Sequence, residues 1–296
     1  MENDMRKFLF TIIAALVLIC GCTSGESPAI TGEVMEFNAA YPSSTRASGQ
    51  SFEDGDKIGI YISEYEDGKP VPLKASGNFK NNNPAVFDGR KWACNPVIYW
   101  GEGTYDVFAY YPYLLPDIVD EMPFNVATNQ DEETSGGMSG YEASDFLHAA
   151  AKGVTREDGT VKLSFRHIMS NLTINLIKGE DFSGELPYDV TVMVHNTVTD
   201  CYIDLATGDV VKNPRARAKT IVARKTGQMK YSAVIVPQMI EYKVPLVEIA
   251  CSGVSYMIES IFNFRSGTQH IINVTLDKNP DKVKIDIGGE VPGGWD

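Results

Sequence analysis

The chain of 296 residues is poor in cysteine and histidine, and beyond residue 22 it has no long apolar run. Of its five cysteines, Cys20 and Cys22 fall near the start, which leaves Cys94, Cys201 and Cys251 at wide spacing. That spacing makes neither a disulfide framework nor a zinc pattern, so the three read as small buried apolar residues. The four histidines, His148, His167, His195 and His270, include no pair at metal-ligand spacing. There is no phosphate-cradling glycine loop and no dinucleotide fingerprint. Gly137-Met138-Ser139-Gly140-Tyr141 fails as a nucleophile elbow because its last position is Tyr. Asp131-Glu132-Glu133 lacks the alternating oxygen ligands of a calcium loop and reads as a solvated charge run. Basic residues are scarce too. With 26 Lys and Arg against 39 Asp and Glu the net charge is −13, the opposite of a nucleic-acid footprint. No cofactor, no metal and no catalytic constellation is expected, hence no enzyme.

What is present begins with a leader. Met5-Arg6-Lys7 precedes an apolar stretch from Phe8 to Cys20, then Gly21-Cys22: a basic region, an apolar region and a small residue before the cut. The stretch is shorter than the roughly 20 residues of a spanning helix. Ile19-Cys20-Gly21-Cys22 resembles a bacterial lipobox. Residues 1–21 are therefore expected to be a removed signal, with Cys22 the lipidated first residue of an exported protein. Residues 22–46 then hold a short polar tether, one strand and a polar connector.

From Thr31 onward the pattern is that of strands. In Thr31–Tyr41 the side chains of Met35, Phe37, Ala39 and Tyr41 share one face, the period of two of a half-buried strand. A polar connector carrying Arg46-Ala47 follows, then a turn at Glu53-Asp54-Gly55-Asp56 and the apolar strand Lys57–Ile62. Asp88-Gly89 fits a two-residue type I′ hairpin turn, and Pro96–Trp100 with Thr104–Tyr113 reads as an aromatic strand pair. Within the latter, Tyr105, Val107, Ala109 and Tyr111 point one way and Asp106, Phe108 and Tyr110 the other. Such a strand is expected to be buried on both faces rather than to serve as a sugar-stacking platform. Residues 114–140 read as a long loop, functional or disordered, and Tyr141–Val154 as either a short helix or a strand. Leu172, Ile174 and Leu176 mark an amphipathic strand. Near the far end Val283, Ile285 and Ile287 again share one face. Roughly fifteen short strands at about 8–14-residue spacing, without sustained helical periodicity, call for an all-β sandwich architecture and exceed one small sandwich. Two domains are expected, 47–165 and 166–296.

Several of these pieces, taken in order, resemble the fimbrillin-like lipoproteins of Bacteroidales. They are TRA and FEDGDKIGIYI, YWGEGTYDVFAYYPY, DFLHA, VKLSFRHIMSNLTINLIKG, AVIVPQ and a terminal strand ending in GGW. The resemblance covers about residues 30–296. It implies two tandem transthyretin-like β-sandwich domains, export to the outer membrane with a lipid on Cys22, and a place among type V pilus subunits. It further implies that an arginine-specific protease cuts between Arg46 and Ala47 and removes the strand carrying Met35, Phe37, Ala39 and Tyr41. The groove left behind would be filled by a neighbour's strand, and the matching donor segment carries Val283, Ile285 and Ile287. The partners so implied are other pilus subunits and the outer-membrane lipid.

The residues by themselves leave alternatives open. Val283–Ile287 can equally be the last strand of the chain's own sandwich, and Arg46 an incidental loop arginine. A monomeric surface lipoprotein that binds a glycan or a host protein, through residues 114–140 or the aromatic cluster, is the second reading. Excision up to Arg46 would remove Glu26, Glu33 and Glu36 with it, so the acidic balance survives either way.

Overall fold

Strand-forming residues at period two fold here into five sheets, in a computed structural model that describes residues 32–42, 51–182, 184–187, 189–293 and Trp295. The first strands are β1 (Phe37–Ala40), β2 (Lys57–Glu66), β3 (Lys69–Pro70), β4 (Lys80–Phe87), β5 (Trp92–Cys94), β6 (Tyr105–Tyr111) and β7 (Met122–Asn125). A short helix, α1 (Gly140–Ser144), precedes β8 (Leu147–Val154), β9 (Val161–Ser164) and β10 (Arg166–His167). Next come β11 (Ser170–Lys178), β12 (Val190–Val198), β13 (Asp200–Ile203), β14 (Val210–Lys212), β15 (Ala218–Val222) and β16 (Arg224–Gly227). The chain closes with β17 (Lys230–Ile235), β18 (Gln238–Cys251), β19 (Val254–Phe264), β20 (Thr268–Leu276) and β21 (Lys284–Pro292). The fold is all-β, as the punctuation of the sequence predicts.

A seven-stranded sheet runs β10-β8-β6-β2-β4-β5 with β3 attached to β2, and β1 pairs with β9. Beyond residue 168 the chain builds a five-stranded sheet, β16-β17-β11-β20-β21, and a four-stranded one, β15-β12-β18-β19. Their inward residues, among them Leu172, Val234 and Val274 from the first and Val192 and Ile249 from the second, share one core. That is a sandwich. A second core gathers Ile58, Ile60, Ile62, Val107 and Leu163. β6 lies between the two: Tyr105, Val107 and Ala109 enter one core, Phe108 and Tyr110 the other. This is the two-faced burial its alternation predicts. Gly59 is forced by the same packing, because a Cβ there would strike the Tyr110 ring.

Residues 114–140 are not a free loop. β7 joins β13 and β14 in a three-stranded sheet, Val126 N donates to the Thr199 carbonyl, and Gln130 N to that of Val222. The fully buried Gln130 side chain donates Nε2–H to the Val234 carbonyl at 2.7 Å, and its Oε1 accepts from Val234 N at 2.8 Å. Proline, glycine and asparagine hid this stretch from a period-two reading, because its backbone partners lie about 75 to 100 residues further on. The Asp131–Glu133 run is exposed, as expected.

Four local expectations change. The hairpin after β4 turns at Gly89-Arg90, since Asp88 Oδ1 accepts from both Arg90 N and Lys91 N and only Gly89 has a positive φ. Pro96–Trp100 is not a strand; Tyr99 makes one isolated bridge, and the neighbours of β6 are β2 and β8. The N-terminal strand narrows to β1, because the segment changes partner midway, as described below. Tyr141–Val154 is both helix and strand. Ser139 Oγ accepts from Glu142 N to cap α1 and also accepts from Arg224, a structural role for that serine.

Candidate functional site

The N-terminal segment occupies a slot in the second core. Met35 and Phe37 are 1% and 6% exposed, and Ala39 and Tyr41 pack half-buried beside them. Glu36, Asn38 and Ala40 face outward. On one side β1 runs parallel to β9, with Phe37 opposite Val161 and Ala40 opposite Ser164. Val161 N donates to the Glu36 carbonyl at 2.9 Å and Phe165 N to that of Ala40 at 3.0 Å. On the other side Met35 N donates to the Ile98 carbonyl at 2.9 Å, and Val34 bridges to Tyr99. The segment is thus gripped from both edges, by different neighbours at its two ends.

The end of that segment meets a group sequence reasoning left unconnected. The Tyr41 ring lies edge-on to Phe52 at 5.1 Å, and 5.9 Å from the His167 ring. Burial, with the nearby Asp145 carboxylate second, pushes the Tyr41 phenol far above its ordinary range. His167 Nδ1 lies 2.8 Å from Asp145 Oδ1, and Trp295 stacks on the His167 ring at 4.2 Å. His167 and the terminal Gly-Gly-Trp stand out in the sequence separately, but nothing in it says they touch.

The other candidate segment is β21, the edge strand next to β20. Thr275 faces Lys284, Val274 faces Ile285 and Ile272 faces Ile287. Val283 packs half-buried against the core, whereas Ile285 and Ile287 are 43% and 69% exposed. Glu290 ties the strand down through an ion pair with Arg265 and through His270 Nδ1 at 3.2 Å. Cys22, Arg46 and Ala47 lie outside the described residues.

His148 Nε2–H donates to the Leu205 carbonyl at 3.0 Å, which fixes the neutral tautomer. His195 lies between Thr220 Oγ1 and Glu248 Oε2. Cys94, Cys201 and Cys251 are free thiols, the latter two buried, and burial pushes Cys201 up to about 12. Among the described residues no group of three or more His, Cys, Asp or Glu is placed to hold a metal ion. No helix there is long and apolar enough to cross a membrane.

Burial holds His148 down to about 4. The unfolded chain takes up a proton near the ordinary value of about 6.5 while the folded one does not, so stability falls as pH drops from there toward 4. The expected loss from His148 by pH 5 is about 2 kcal/mol. Urea titrations at pH 7 and 5 should show it, and His148→Gln should flatten the slope. His270, also held to about 4 by burial, acts in the same direction.

The chain is thus an all-β protein with an N-terminal segment seated beside β9 and a C-terminal edge strand paired with its own β20. The fimbrillin-like family matches residues 45–292, and the chain belongs to that family. The match begins beside Arg46, after β1. No curated protein matches the chain by sequence. Solved structures share its fold at low identity. A candidate cell adhesion protein from Bacteroides ovatus aligns with a TM-score of 0.68 at 20% identity, over 88% of this chain and 97% of that one. A second, from Bacteroides uniformis, aligns with a TM-score of 0.67 at 18% identity, over 88% and 97%. The tip fimbrial protein Mfa3 from Porphyromonas gingivalis, truncated at its C-terminus, aligns with a TM-score of 0.52 at 10% identity, over 86% and 97%.

Proposed function

We propose that the chain is a subunit of a cell-surface pilus, exported as a lipoprotein on Cys22, trimmed between Arg46 and Ala47, and joined to its neighbours by strand exchange. Its two halves, 47–165 and 166–296, carry the acceptor groove and the donor strand respectively. The observation that carries this reading is the seat of β1. The segment from Val34 to Tyr41, bonded to Ile98–Tyr99 at its start and to β9 through β1, places Met35 and Phe37 in a core otherwise built by later residues.

Those two side chains contribute about 1.5–3 kcal/mol each by burial. Their departure leaves the edge of β9 unpaired and the Ile60–Leu163 core open, a surface that chains do not leave bare. A strand from a second copy restores both the main-chain bonds and the burial, the β-augmentation mode of recognition. β21 is suited to supply it. Ile285 and Ile287 repeat the spacing of Met35 and Phe37, and being exposed they lose little burial when the strand leaves β20. Head-to-tail donation does not close on itself and so grows a filament. Such a filament, built from subunits held at the outer membrane until they are trimmed, would present the chain for adhesion to a host protein or glycan.

The double substitution Ile285→Asp/Ile287→Asp tests the donor. Both residues are exposed, so the unfolding free energy of the monomer should move by no more than about 1 kcal/mol. After treatment with an arginine-specific protease, elongation should fall at least tenfold relative to the wild-type chain, read as the length of SDS-resistant ladders. Ladders of normal length would remove β21 from the donor role.

A further inference from the structure

The N-terminal segment and the C-terminal tail meet at one buried histidine. His167 is 2% exposed and is held from three directions. Asp145, which ends α1, bonds its Nδ1 at 2.8 Å. The Tyr41 ring, just past β1, stands at 78° to it. The Trp295 indole, just past β21, lies nearly parallel to it, 4.2 Å away and tilted by 16°. The main chain follows the same route. Gly293 N donates to the Gly267 carbonyl and Gly267 N to that of Met169, both at 2.7 Å. Gly267 has φ +61, and a Cβ there would meet the His167 carbonyl at 2.9 Å, so the tail can be sewn this close only over a glycine. Trp295 is 3% exposed, yet its indole N–H has no hydrogen-bond partner among the described residues. Among the described residues, packing and ring stacking hold it.

We propose that His167 couples the two ends, so that departure of the N-terminal strand loosens the C-terminal tail. When Tyr41 leaves, the His167–Asp145 pair loses one wall and meets water, which competes for both partners. The stack with Trp295 depends on the ring orientation that Asp145 and Tyr41 fix, and among the described residues the indole has no hydrogen bond to keep it seated once the ring turns. β21 is then held by its ladder to β20 and by Glu290, through Arg265 and His270. Opening of the acceptor groove and release of the donor become one event, and an uncut subunit keeps both closed. That use of the coupling rests on the strand-exchange reading; the coupling itself does not. Coupling free energies are reciprocal, so loss of Trp295 must loosen β1 by the same factor.

Hydrogen–deuterium exchange on the full, uncut chain tests this with Tyr41→Ala and Trp295→Ala. Amides of 284–293 should exchange at least tenfold faster in Tyr41→Ala, and amides of 37–40 equally faster in Trp295→Ala. Amides of the central strand β11 should not change in either. Unchanged tail protection in a folded Tyr41→Ala chain, or unchanged β1 protection in Trp295→Ala, overturns the coupling. If Tyr41→Ala does not fold, the Trp295→Ala arm decides. Neither arm involves cleavage, so a negative result would leave strand exchange standing, and a failure of strand exchange would leave a measured coupling intact.

Discussion

Arg46→Ala is expected to leave the chain full-length and monomeric under conditions in which the wild-type chain is trimmed and forms filaments. The slot between β9 and Ile98–Tyr99 admits one strand. While β1 is tethered to residue 51 by a short connector, it competes for that slot at an effective concentration in the millimolar range. A strand from another subunit, present at micromolar concentration with similar contacts, loses that competition by about a factor of a thousand. Cutting the tether removes the advantage, because a released segment diffuses away and the donor of a growing filament does not. Alanine denies an arginine-specific protease its recognition residue. The expected readout is a single full-length band and no filaments by electron microscopy, against ladders for the wild-type chain. Filaments of ordinary length from Arg46→Ala would show that the slot is filled without this cut.

Phe37→Ala should cost about 3 kcal/mol or more of unfolding free energy, the usual range for removing a buried phenylalanine. Phe37 is 6% exposed, lies in the same core as Ile60 and Leu163, and stands opposite Val161 in the ladder. Local opening of β1 sets the upper bound on that cost, because the segment can leave without unfolding the rest. The loss should therefore appear first as faster amide exchange in 37–40, and only then as a lower urea midpoint. A weakened plug is also a faster one, so the trimmed variant should elongate sooner than wild type. Asn38→Ala, on the outward face of the same strand, should change stability by less than about 0.5 kcal/mol. Equal effects at the two positions would contradict the burial of one face.

The two faces of the N-terminal segment and of β6 were legible because a strand writes its environment into every second residue. Met35 and Phe37 against Glu36 and Asn38, and Val107 against Phe108, need only that period to be placed. The all-β class followed from the same pattern repeated along the chain. Partners far apart in sequence were not legible. β7 bonds to β13, Gln130 bonds to Val234 and Trp295 stacks on His167, and none of these pairs shares a period, a turn or a motif. The aromatic pairing expected of Pro96–Trp100 fails for a related reason. Its Ile98 and Trp100 are buried like strand residues, but its backbone serves the N-terminal segment. The self-pairing of β21 with β20 also lies beyond the pattern of Val283, Ile285 and Ile287, which is the same for a strand that stays and one that is given away.

The central claim is that β1 holds a place later taken by another copy. The most direct measurement is the N-terminal residue of the protein within filaments recovered from the cell surface, read by mass spectrometry of the assembled material. The account predicts Ala47, with the peptide containing Met35 and Phe37 absent from the filament. Filaments whose subunits begin at a lipid-bearing Cys22 and still contain that peptide would contradict it.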